Sequence, residues 1–242
     1  MNPPQLLIVE LIVAAPIDVV WNALRDRAAI TQWFGWNHPG LPEEIEYIFQ
    51  THAVADDAAR RLVINTDEMT LEAHGGRTIV RVTRAAPVRG TWDDIYDEIA
   101  EGWRTFIHQL RFTLERHAKA PRRTIYLSGR ARSEGARPPE LLGLPQLANS
   151  REGDAYEMHT AVGDRLSGDV WFRSRWQIGL TVHEFGDGLI VAMLRPETDK
   201  SPFGGGMCVL TLYGFDQARH EAMTAKWRAW FEANFDKVEV QV

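Results

Sequence analysis

Cysteine is almost absent from this chain. Cys208 is the only one in 242 residues, so an intramolecular disulfide framework and a multi-cysteine zinc site are both excluded. A reducing cytoplasm fits that usage and is the expected compartment. Long apolar runs are missing as well. No window approaches the ~18–20 uninterrupted apolar residues of a membrane span. The apolar stretch at residues 6–16 contains Glu10 and has no basic stretch before it, so it reads as a strand and not as a signal-peptide core. Nor is there a surplus of positive charge: 27 basic against 33 acidic residues leave a net charge of −6. Splitting the chain at residue 120 leaves neither half basic, so no nucleic-acid footprint follows.

The common catalytic signatures are absent too. There is no His-Glu-x-x-His and no Gly-x-Ser-x-Gly. Ser201-Pro202-Phe203-Gly204-Gly205-Gly206 lacks the Gly-Lys-Ser/Thr ending of a phosphate loop and opens a strand, not a helix. The acids Asp93, Asp94, Asp97, Glu98 and Glu101 are accounted for by helix-start electrostatics. Cys208 sits among apolar neighbours, the usual place of an inert thiol. No metal, cofactor or catalytic residue is expected.

Large rings are plentiful, with nine Trp, ten Phe and five Tyr. They are arranged on a plan used twice. A strand at residues 6–13 is followed by Pro16 and Asp18, which suit the first turn of a helix. A second short helix near residues 28–34 ends in Trp33-Phe34-Gly35-Trp36. Strand-like segments are expected at 45–53, 61–65, 69–73 and 78–83, the last two flanking the turn His74-Gly75-Gly76-Arg77. Thr91-Trp92-Asp93-Asp94 resembles a helix cap. Ile95, Ile99, Trp103, Phe106, Leu110 and Leu114 then recur at helical spacing.

The second half repeats the order. Strands are expected at 124–130, 155–162, 169–183, 189–195 and 207–215. A short helical region at Pro138-Pro139-Glu140-Leu141-Leu142 is interrupted at Pro145. Glu184-Phe185-Gly186-Asp187-Gly188 reads as a hairpin turn. In the 169–183 segment Val170, Phe172, Trp176, Ile178, Leu180 and Val182 alternate as one face. Asp216 caps a last helix with a stripe of Met223, Trp227, Trp230 or Phe231, and Phe235. Gly102-Trp103-Arg104-Thr105-Phe106-Ile107 aligns with Lys226-Trp227-Arg228-Ala229-Trp230-Phe231 at an offset of 124. The fold class expected is α+β, in two units at residues 1–120 and 121–242.

Ala15-Pro16-Ile17-Asp18-Val19-Val20-Trp21-Asn22-Ala23-Leu24 with Trp33-Phe34-Gly35, and Glu101-Gly102-Trp103 through Leu110, resemble the START-like (SRPBCC) superfamily. The resemblance is narrower to its heat-shock-protein-90 ATPase activator-like branch, and covers about residues 6–117. Residues 124–235 resemble it in layout and final helix only, so the second copy is diverged. The resemblance implies two helix-grip units, each a curved antiparallel sheet wrapped around a long C-terminal helix. It also implies a cavity for an apolar or polycyclic molecule between sheet and helix.

A concave sheet gripping a helix is filled by side chains or leaves room for a ligand. Candidate wall residues are Trp33, Trp36, Trp103 and Phe106 in the first unit, and Trp171, Trp176, Trp227 and Trp230 in the second. Packing of such rings into the core is the competing reading. His159 and His183, on separate strands, could both face a cavity near Glu157, Arg173 and Arg175. The leading expectation is non-catalytic binding of a small hydrophobic molecule, of polycyclic or lipid-like kind. The alternatives are a cyclase or hydrolase acting on a polyketide-like substrate, and a chaperone ATPase activator or self-associating interaction module.

Overall fold

The computed structural model describes residues 5–85, 97–118 and 120–242. The chain is α+β and divides into two compact units. The first comprises Met1–Gly35 with Pro39–Lys119, and the second Trp36–His38 with Ala120–Val242.

In the first unit, strand β1 (Gln5–Val13) leads to helices α1 (Ile17–Arg25) and α2 (Arg27–Ile30), the latter capped by Asp26, whose carboxylate accepts from the Ala29 N–H. Helix α3 (Leu41–Ile45) follows, then strands β2 (Ala53–Asp56), β3 (Arg61–Ile64), β4 (Asp67–His74) and β5 (Arg77–Ala85), and helix α4 (Glu98–Arg116). The antiparallel sheet runs β1-β5-β4-β3-β2. Gly75 and Gly76 both adopt positive φ in the β4–β5 turn, the backbone a tight two-residue hairpin requires.

Residues 45–51 do not form the first part of the strand expected at 45–53. They continue α3 into a π-helical turn, Glu46–Thr51. Pro42 and the first-turn acids Glu43 and Glu44 favour helix there, and Leu41, Ile45 and Phe49, spaced by four, are all buried. The expected cap at Thr91-Trp92-Asp93-Asp94, and Ile95, lie outside the described residues. Asp97 caps α4 by accepting from the Ile99 and Ala100 N–H groups. Trp103, Ile107 and Leu110 enter the core, whereas Ile99 is 63% exposed.

The second unit holds β6 (Arg122–Ala131), α5 (Pro138–Leu141), β7 (Ala155–His159), β8 (Arg165–Arg173), β9 (Gln177–Val182), β10 (Gly188–Arg195), β11 (Gly205–Tyr213), α6 (Gln217–Asn234) and β12 (Phe235–Gln241). Its sheet runs β12-β6-β11-β10-β9-β8-β7. Thus in each sheet the unit's first strand lies beside the strand that precedes the long helix, and the other strands follow in reverse order. The long helix packs its apolar side into the core of that sheet, which is the helix-grip arrangement.

Four expectations change here. Pro145 lies within a 3₁₀ turn, Leu144–Leu147, and the break falls at Gly143, whose φ is +83°. The 169–183 segment is two strands joined at residues 174–176, where the Ser174 Oγ accepts from the Trp176 and Gln177 N–H groups. A bulge between Val170 and Phe172 takes Phe172 off the face of Val170, Ile178, Leu180 and Val182. The Phe172 ring lies over Gly179, where a Cβ would come within 2.2 Å of it. The chain also continues beyond α6 into β12, antiparallel to β6.

The long helices share one anchor. The Trp103 indole N–H donates to Asp67 Oδ2 at 2.7 Å, and the Trp227 indole N–H donates to Asp164 Oδ2 at 3.1 Å. Asp67 opens β4 and Asp164 lies in the β7–β8 turn. In these antiparallel orders both sit at the end of the sheet from which the long helix departs. Asp67 faces inward opposite Arg84, which binds it through Nε at 2.5 Å and Nη2 at 3.0 Å and reaches Asp97 through Nη1 at 2.7 Å. The Arg84 guanidinium is held above its ordinary value, chiefly by the hydrogen bond to Asp67.

Arg84→Ala leaves Asp67 buried with an uncompensated charge and should cost about 3–5 kcal/mol. Trp103→Phe removes one bond to a still-paired carboxylate and should cost about 1.5–3 kcal/mol. Urea denaturation that ranks the two the other way would contradict this account.

Candidate functional site

The first unit's candidate rings pack against one another. The Trp33 indole N–H donates to the Ala23 carbonyl at 2.8 Å, and its ring meets Phe34 and Phe49 edge-on at 5.9 and 5.7 Å. Phe106 lies 4.8 Å from Phe34 and 6.2 Å from Trp103. Each ring's apolar surface is met by another ring, the arrangement that aromatic quadrupoles favour. Trp36 belongs instead to the second unit, where it stacks at 3.7 Å on Tyr126 and donates its indole N–H to Gln241.

In the second unit Trp227 is fully buried, with Phe185 at 6.3 Å and the half-buried Trp230 at 6.0 Å. Trp171 is buried, and Trp176 is half-buried with the Arg175 guanidinium 4.8 Å from its ring centre. His159 and His183 are exposed. His183 Nδ1 lies 3.4 Å from Ser167 Oγ, and Nε2 lies 4.0 Å from Asp187. This Ser-His-Asp grouping does not form a catalytic triad. The Ser167 hydroxyl donates to Glu184 at 2.8 Å, not to the imidazole, and the His183 side chain is 61% exposed. Burial pushes the Glu184 carboxyl up, but the Ser167 N–H and hydroxyl outweigh it and hold it below its ordinary value.

Space for a ligand lies elsewhere in the second unit. Two recesses, of about 430 and 660 Å³, share Arg123, His220 and Val242. The smaller is completed by Gln217, Glu221, Thr224, Ala225 and Arg228 of α6. The larger is completed by Asn37, residues 120–122, Thr124, Gly214 and Phe215. None of the ten residues singled out in the sequence lines either recess.

His220 joins the two spaces. Its Nε2 lies 3.3 Å from the Thr124 carbonyl, which can only accept, so the proton is on Nε2 and Nδ1 carries the lone pair. Burial lowers the imidazole below its ordinary value, with Arg123 adding to the effect and the Thr124 hydrogen bond opposing it. The ring is therefore neutral at pH 7. Burial likewise pushes the Arg122 guanidinium down to about 10, which leaves it charged. Arg123 Nη1 donates to Gln217 Oε1 at 2.7 Å, and the Gln217 amide donates to Glu221 at 2.7 Å. The Asn37 N–H and side-chain oxygen are both bonded to the Thr124 hydroxyl, which fixes the mouth of the larger recess.

A signal for this site is present in the sequence. His220, Thr224 and Arg228 recur at i, i+4 and i+8, flanked by Gln217, Glu221 and Ala225, and form a second stripe on α6 beside the apolar one. The partners on β6, and Asn37 more than eighty residues earlier, carry no such pattern.

No protein-family model matches the chain, and no curated protein does. Among solved structures it is similar to DynU16, a protein in the dynemicin biosynthetic locus, at 15% identity over 95% of this chain and 96% of that one, with a TM-score of 0.30. It is also similar to the di-domain ARO/CYC StfQ from the steffimycin biosynthetic pathway, at 12% identity over 95% of this chain and 92% of that one, with a TM-score of 0.33. Neither likeness assigns an activity to this chain. No described helix is long and apolar enough to cross a membrane.

Because the folded state holds His220 below the unfolded value of about 6.5, the unfolded chain takes up that proton first as pH falls. The cost is absent above that pH and grows as pH drops toward the folded value. His108, on α4, is pushed by burial to about 3 and adds a slope of the same sign. Thermal melts between neutral and mildly acidic pH should therefore show a shallower loss of stability in His220→Gln than in the wild type. Equal slopes would count against a neutral buried His220.

Proposed function

We propose that this chain binds a small, largely apolar molecule in the recess of its second unit, around His220. The observation that carries this reading is the pair of adjoining spaces meeting at Arg123 and His220. Each falls within the ~300–1,000 Å³ typical of small-molecule sites, and together they bring apolar surface from Pro121, Phe215 and Ala225 next to a few directed polar groups. On this reading the ligand site lies at the face between the start of β6 and the polar stripe of α6. The common strand order and the matching anchors of Trp103 and Trp227 support reading residues 1–120 and 121–242 as two copies of one START-like unit.

A cyclase-type enzyme is the second reading, and His220 favours it. A neutral imidazole pinned through Nε2–H keeps Nδ1 as a proton acceptor, with the Arg123 guanidinium close by to stabilise negative charge. On this reading His220→Gln abolishes turnover while binding persists.

Ligand-observed NMR with a panel of neutral and acidic naphthalenes should detect saturable binding that Ala225→Trp abolishes and Trp230→Phe leaves intact. Ala225 is exposed on the rim, so the larger ring fills the recess without entering the core. Binding unaltered by Ala225→Trp, or no binding by any member of the panel, would overturn the proposal.

A further inference from the structure

The chain as a whole is acidic, at −6, but the recess is not. Its lining side chains bring three guanidinium groups, Arg122, Arg123 and Arg228, against the single carboxylate of Glu221. Two of those cations have donors to spare. A guanidinium carries five N–H donors in a planar fork. Arg123 uses one of them, on Gln217, and the rest have no partner among the described residues. Gln217 is itself spent on Glu221, so a neutral amide stands between that carboxylate and Arg123. Arg228 makes no hydrogen bond or ion pair among the described residues and lies two helical turns beyond His220 on the same stripe. His220 already gives its one N–H to Thr124 and offers an anion no competing charge.

From this charge distribution we propose that the recess takes an anionic ring compound, an aromatic carboxylate. Its ring lies in the larger space against Phe215 and Pro121, and its carboxylate turns to Arg123 and Arg228 in the smaller one. This rests on the reading of the recess as a binding site and gives it a ligand class. A planar carboxylate matches the guanidinium fork, and charge-assisted hydrogen bonds of this kind are about twice as strong as neutral ones. The apolar surface of the larger space supplies the remainder of the affinity and selects a ring over an acetate-sized anion.

Calorimetric titration of the full chain with naphthoate and with its methyl ester tests the inference, since the two share a ring and differ in charge. Naphthoate should bind about tenfold more tightly or better. That advantage should shrink as salt is raised from about 50 to about 500 mM, because the Arg228 side of the site is open to solvent. Arg123→Gln and Arg228→Gln should each reduce the acid-to-ester ratio. Arg228 is exposed, so its variant carries no folding cost. An ester that binds as well as the acid, or a ratio unchanged in both variants, would overturn the proposal. Ester binding blocked by Ala225→Trp without any preference for the acid defeats this inference alone. Failure of both probes, with the rest of the panel also silent, defeats the binding reading itself.

Discussion

One hydrogen bond, made twice, sets how each long helix lies on its sheet. An indole N–H is a single donor at the edge of a large apolar body, so burying it requires an acceptor at one defined place. Asp67 and Asp164 supply that acceptor at the helix-entry end of the two sheets. The bond fixes the helix both along its axis and in rotation, because Trp103 and Trp227 can reach their carboxylates in only one setting. Rotation of α6 in turn decides which of its faces meets the core. With Trp227 and Phe231 inward, the stripe of His220, Thr224 and Arg228 is left to line the recess.

The carboxylates are made tolerable in different ways. Asp67 is buried and needs the fork of Arg84, which also ties down the Asp97 cap of α4. One inward-facing ion pair thus links the sheet, the helix start and the indole. Asp97 is held below its ordinary value although burial pushes it up, because the Ala100 N–H and Arg84 outweigh that cost. Asp164 is less enclosed and pairs with Lys226, the neighbour of its indole partner. The second anchor is therefore the more solvated of the two and leans less on a buried charge.

The recess inverts the polarity of the two interiors. Inside each unit ring meets ring, and the indole N–H groups of Trp33, Trp103 and Trp227 are tied to backbone or to the anchoring carboxylates. Around His220 the polar groups are partly committed: one fork donor of Arg123, one nitrogen of His220, both sides of the Gln217 amide. The donors left uncommitted are the cationic ones of Arg123 and Arg228, and they give the site its chemical character.

Much of the local structure was legible in the sequence, because it rests on rules that act over a few residues. Asp216 announced the start of α6, Gly75-Gly76 a tight turn, and the spacing around Trp103 and Trp227 two gripped helices. Val238 and Val240 alternate in a way that marks β12, but the apolar stripe running up to Phe235 conceals it. The strand expected at 45–53 gives way to helix over most of its length, because the spacing of four through Leu41, Ile45 and Phe49 prevails once Pro42 starts a helix. The rings were correctly prominent, but a sequence gives only their number and spacing. Whether a Trp faces a void or another ring depends on chain segments far apart, as Trp36 on Tyr126 illustrates. The recess depends on such convergence entirely. Arg123 and Thr124 on a strand, Asn37 from a distant segment and His220 on a helix become one site only when the sheet pairs and the indole sets the helix, and burial then makes the imidazole neutral.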